Sequence, residues 1–126
     1  MPPKKIVFPF IEEALLSKHP VIKPMFGCQA IYIGEKLMLM MRNKEDHVDA
    51  NGVWIATSRE HHETLKKEIP CLRSVYILSN GKNETEWQMI PIDDDDFETL
   101  AMKVCDMILR NDPRIGKIPK SKKKRG

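Results

Sequence analysis

The sequence predicts an α+β fold: a two-layer sandwich in which a mostly antiparallel five-stranded sheet is covered by three helices. Two observations carry this expectation. Apolar runs are separated by tight turns such as Gly34-Glu35, and short connections join antiparallel neighbours. Phe97, Leu100, Ala101, Val104 and Ile108 recur at steps of three, one, three and four, which paints one face of a helix. Hairpins and well-separated helices argue against a doubly wound sheet. The expected order is α-β-β-β-α-β-β-α.

Each element follows from local chemistry. Ile11, Ala14 and Leu15 give helical spacing over 10–18, and Pro20 stops that helix. Pro20 and Pro24 mark an extended connector. Cys28 to Ile33 alternates, as a strand does. Leu37 to Met41 is continuously apolar, which suits a central strand covered on both faces. Residues 42–52 are polar and loop-like, and Val53 to Thr57 is the third strand. Thr57-Ser58-Arg59-Glu60 has the pattern of a capping box opening a second helix that ends at Ile69-Pro70. Leu65 and Ile69 face inward. Ser74 to Leu78 is the fourth strand, Asn80-Gly81 a turn, and Glu86 to Met89 a half-buried fifth strand. Asp93 to Asp96 starts the last helix, and Asn111-Asp112-Pro113 ends it.

A chain of 126 residues accommodates one domain with a core that needs no disulfide or metal. Its three cysteines, Cys28, Cys71 and Cys105, form no Cys-x-x-Cys pair, so reduced thiols in a cytoplasmic protein are expected. The apolar stretch from Ile6 is short, broken by Pro9 and followed by Glu12-Glu13, unlike a signal peptide. No segment reaches the length of a membrane span, so no membrane partner is expected. Charge divides unevenly. Arg114, Lys117, Lys120, Lys122, Lys123, Lys124 and Arg125 lie in the last 13 residues with no acid among them. The rest holds 14 basic and 18 acidic residues, a net of −4. The expected organisation is one domain over 1–116 and a mobile basic tail over 117–126.

Candidate chemistry is weighed against packing. His61-His62-Glu63 lacks the spacing of a zinc site, because neighbouring helical residues diverge by about 100°. Asp93-Asp94-Asp95-Asp96 suits a helix start better than a calcium loop. Cys28 and Cys105 read as small core residues, and Cys71, in a loop, as the most reactive thiol. Met38, Met40 and Met41 read as core packing. No nucleophile elbow, phosphate-binding loop or dinucleotide fingerprint occurs. No catalytic residue, metal ligand or cofactor is nominated, and enzyme activity is not expected.

Pro24-Met25-Phe26-Gly27, followed by Ala30-Ile31-Tyr32-Ile33 and a second apolar strand, resembles the opening of the TfoX (Sxy) amino-terminal family. Trp87-Gln88-Met89-Ile90-Pro91 resembles that family's later aromatic strand, and Asn51-Gly52-Val53-Trp54 and Asp112-Pro113-Arg114-Ile115-Gly116-Lys117 resemble a stand-alone TfoX-like subgroup. The likeness covers roughly residues 10–118. Cys28 stands where the family commonly has a second glycine. A more distant likeness is to the YjbR/MmcQ group, linked to DNA binding. The resemblance implies a regulatory, transcription-related module, a fold like that of dimeric secretion chaperones, and a homodimeric state. Full-length members carry a second, helical domain, which is not expected in a chain ending at Gly126.

Two function classes follow. The first is a non-enzymatic regulatory or interaction domain with a protein partner, touching nucleic acid weakly and without sequence preference through Lys117, Lys120, Lys122, Lys123, Lys124 and Arg125. Pro24, Met25, Phe26 and Gly27 then form a structural or partner surface. The second is a small-molecule binder or enzyme with a pocket between helices and sheet.

Overall fold

The computed structural model describes residues 6–25, 27–75 and 86–118. It is an α+β fold built on one antiparallel sheet, and among the described residues that sheet has six strands. The strands are β1 (Val21–Met25), β2 (Cys28–Ile33), β3 (Lys36–Arg42), β4 (Gly52–Ile55), β5 (Arg73–Ser74) and β6 (Gln88–Pro91). The helices are α1 (Pro9–Ala14), α2 (His62–Glu68) and α3 (Phe97–Leu109). Spatial order across the sheet is β1-β2-β3-β4-β6-β5.

The expectation of five strands misses β1, because Pro20 and Pro24 suit an extended connector equally well. Val21 pairs with Tyr32, Lys23 with Ala30 and Met25 with Cys28. Pro24 is tolerated because β1 is the edge of the sheet. Its ring nitrogen has no hydrogen to give and turns away from β2. Gly27, at φ +74°, closes this hairpin in a backbone region that glycine enters readily. Phe26 lies outside the described residues. So do Tyr76 to Leu78, the larger part of the expected fourth strand; of its residues Ser74 ends β5 and Val75 follows it.

Between Ile31 and Tyr32 the β2–β3 register slips by one residue: Ile31 faces Leu39, whereas Tyr32 faces Leu37. The slip sends Met38 to the same face as Leu39 and Met41, against the helices. Met40 packs on the opposite face with Ala30, Trp54 and Met89. The apolar run of β3 is therefore buried on both sides, as expected. β6 corrects a second expectation. It begins at Gln88, and all four of its residues are buried: Ile90 packs in the helix-side cluster and Met89 in the cluster on the opposite face.

Side chains from all three helices meet one face of the sheet: Ile11 and Leu15 near α1, Leu65 of α2, and Phe97, Ala101, Val104 and Ile108 of α3. Phe8 and Phe97 stack edge to face with centroids 5.2 Å apart. The α3 stripe is the one read from periodicity. Asn111, at φ +62°, ends that helix. The Asn111 and Asp112 N–H groups donate to Ile108 O and Met107 O, which satisfies the last carbonyls in a Schellman arrangement.

The capping-box expectation at Thr57 is corrected. Thr57 Oγ1 donates to Arg114 O at 2.7 Å instead of capping α2. A 3-10 turn, Arg59–His61, precedes α2, and Ser58 provides no side-chain cap. The competitor that won is a tertiary bond to a segment 57 residues away.

Candidate nucleic-acid interface

After α3 the chain returns to the sheet as an ordered strap. Gly116 N–H donates to Ala56 O at 2.7 Å, and Lys117 exchanges two bonds with Leu37, at 2.8 and 3.0 Å. Ile115 plugs the helix-side core and is 2 % exposed. A mobile tail from residue 117 was expected; the backbone at Lys117 is instead an antiparallel bridge to β3. Of the nominated contact residues, Lys120, Lys122, Lys123, Lys124 and Arg125 lie outside the described residues. The strap places Gly116 and Lys117 beside Ala56 and Leu37 of the sheet.

Two of the seven cations counted with the tail have acidic partners. Arg114 grips Asp112 through Nε and Nη2, at 2.9 and 2.6 Å, and also donates to Glu68 Oε2. Those bonds from the guanidinium hold the Asp112 carboxyl below its ordinary range, and raise Arg114 in turn. Lys117 Nζ donates to Glu86 Oε1, and that bond lowers the Glu86 carboxyl. The other five cations lie beyond Ile118, outside the described residues.

Glu86 is a junction. Its carboxylate takes Lys117 and the backbone N–H of Arg59, while its carbonyl accepts from His62 Nε2 at 2.9 Å. Lys36 lies beside the strap, its Cδ 3.4 Å from where a Gly116 side chain would begin. Lys36, Arg59 and Lys117 thus border the root of the basic segment. The sequence reading missed Lys36 and Arg59, because they come from a hairpin and a helix entrance with no charge run to mark them.

Other nominated residues are placed as structure. Gly27 sits beside Lys44, whose Nζ would lie 2.7 Å from an added Cβ. Pro24 and Met25 form the edge strand. Asp94 Oδ1 accepts the Asp96 N–H, while the residue at the α3 cap, Asp96, makes no side-chain cap bond. His61 contacts Glu60 at 3.4 Å and His62 bonds Glu86, so the two imidazoles diverge as helical geometry requires. Among the described residues, no group of three or more His, Cys, Asp or Glu is placed to hold a metal ion. No helix among them is long and apolar enough to cross a membrane.

The thiols differ from expectation at one point. Cys105 is buried and pushed up to about 12, and Cys28 is raised by burial against the opposing pull of Arg42 and Lys44. Cys71, expected to be the most reactive, is pushed up to about 11 by partial burial and by Asp94, whose carboxylate accepts from it. A thiol that holds its proton at neutral pH is a poor nucleophile.

Surface clefts lie among the described residues. One of about 450 Å³ lies between Phe10 and the start of α3, another of about 440 Å³ between Glu68 and Arg110, and a third of about 240 Å³ between α2 and β5–β6. No protein-family model, curated protein or solved structure matches the chain.

Proposed function

We propose that this protein is a non-enzymatic interaction module that holds nucleic acid through electrostatic contact of its basic end. The observation that carries the reading is the placement of the strap. Its bonds to Leu37 and Ala56 fix the chain at Gly116 and Lys117, just before the cationic segment in sequence, and Lys36, Arg59 and Lys117 lie around that point. Lysine and arginine displace condensed counterions from phosphates, a gain that needs neither a base-reading helix nor an aromatic platform. The segment beyond Ile118 has five cations and no aromatic residue, so contact is insensitive to sequence. Kinship with the TfoX amino-terminal family, a regulatory role and a homodimeric state belong to the same proposal, supported by the motifs quoted above, as does a cytoplasmic setting, supported by three cysteines without a Cys-x-x-Cys pair.

The test is binding of labelled duplex DNA and RNA by fluorescence anisotropy at two salt concentrations, with the full chain and with residues 119–126 removed. Five engaged phosphates give a slope of log K against log salt of about −4.5. Truncation flattens that slope and weakens binding at low salt. No binding at low salt, or binding unchanged by truncation, rejects the reading.

A further inference from the structure

We propose that the cleft between α2 and β5–β6 seats a backbone phosphate of the nucleic acid, so that the strand runs from this cleft past Glu86 to Lys117. The inference rests on the nucleic-acid reading above and names the fold's own contribution to it. His62, Lys66, Arg73, Ser74 and Gln88 line the cleft, and no carboxylate is among them. In a body of net charge −4, a concavity whose described walls carry a lysine and an arginine and no acid is a local reversal of sign.

The polar groups are arranged to donate. Gln88 is 2 % exposed, and its Nε2 donates to Ser74 Oγ at 3.1 Å and to Trp87 O at 3.2 Å. Because Ser74 Oγ already accepts, its hydroxyl hydrogen is available to an anion. Arg73 is anchored through one N–H to Asp49 O, and its planar fork has further donors suited to phosphate oxygens. His62 must donate through Nε2, since its partner there is the Glu86 carbonyl. That same Glu86 holds Lys117 through its side chain. One residue therefore joins the cleft to the root of the basic segment, and a strand following the positive surface meets both.

The experiment compares four proteins with a fluorescent single-stranded DNA: the full chain, K66A/R73A, the chain without residues 119–126, and the combination. Two phosphate contacts on a single strand contribute about 1.4 to the salt slope, so K66A/R73A flattens it by about that amount. It weakens low-salt binding on all sequences alike. A slope unchanged in K66A/R73A, with truncation still weakening binding, overturns the cleft and leaves the wider reading standing. No binding by the full chain overturns both. As a check that does not depend on variants, inorganic phosphate added to the 15N-labelled full chain shifts the Ser74 amide and the Gln88 side-chain amide. Shifts that leave both unmoved contradict the site. Phosphate shifts with an unchanged DNA slope assign the cleft to a small phosphate ligand instead and overturn the strand path.

Discussion

Arg42 Nη1 lies 2.7 Å from Asn51 Oδ1, and this buried pair organises the whole loop between β3 and β4. Arg42 is 4 % exposed, and its guanidinium also reaches the carbonyls of Asp46 and His47 and the Asp46 carboxylate. Asn51 in turn accepts from Lys44 N–H and donates to Lys44 O. A cation out of water requires such full coordination. The substitution Asn51→Ala removes three of these bonds and leaves the guanidinium short of a partner. The expected loss is about 3 kcal/mol, read as a lower midpoint in urea unfolding. A midpoint within error of the parent would show that the loop does not depend on this pair.

Gly52 and Gly34 separate two meanings of glycine. Gly52 has φ +146°, and an added Cβ would meet Ile90 O at 2.0 Å, inside the β4–β6 ladder. Gly34 has φ +61° in an open turn with nothing within 4 Å. Gly34→Ala therefore loses about 1 kcal/mol from backbone strain alone. Gly52→Ala must push two central strands apart and loses at least about 3 kcal/mol. Equal midpoints for the two variants would contradict the contact.

Much of this architecture is legible in the sequence where periodicity is strong. The α3 stripe, the alternation of Cys28–Ile33 and the continuous run in β3 each report a buried face directly. Legibility fails where a distant partner decides. Thr57 has a good local capping sequence, yet its hydroxyl goes to Arg114. Pro20 and Pro24 look like a linker, and only an edge position reconciles Pro24 with a strand. Arg114 and Lys117 look like tail charges until Asp112, Glu68 and Glu86 are brought beside them. The cleft of His62, Lys66, Arg73, Ser74 and Gln88 draws on residues spread over 27 positions, with no motif to join them.

The outer edge of β1 is protected by its prolines. Backbone groups at Pro24 and Ile22 turn outward, and Pro20 continues the same parity. Ile22 is left as the single outward N–H donor between two residues that have none. Restoring donors in P20T/P24V opens this edge to strand pairing. The expected result is concentration-dependent self-association in analytical ultracentrifugation that exceeds the parent's. Identical sedimentation would show that the prolines do not guard the edge.

The Asp112–Arg114 pair sets a pH dependence. Hydrogen bonds from Arg114 hold the folded Asp112 carboxyl below its unfolded value of about 3.9. A depressed acid stabilises the fold fully above that unfolded value, and its contribution is lost as pH falls through the folded one. At neutral pH, Asp112→Asn is therefore less stable than the parent. Below about pH 4 the gap narrows, as the parent carboxylate takes up its proton. Urea midpoints at pH 7 and pH 3 measure this, and a gap that widens at pH 3 would reverse the assignment.

The most direct test of the interface as a whole is a 15N–1H NMR titration of the full chain with short DNA at low salt. The account predicts shifts grouped at Lys36, Arg59, His62, Lys66, Ser74, Lys117 and the residues beyond Ile118, fading as salt rises. Shifts concentrated instead around Phe10, Asp94 and Glu98, or none anywhere, would contradict it.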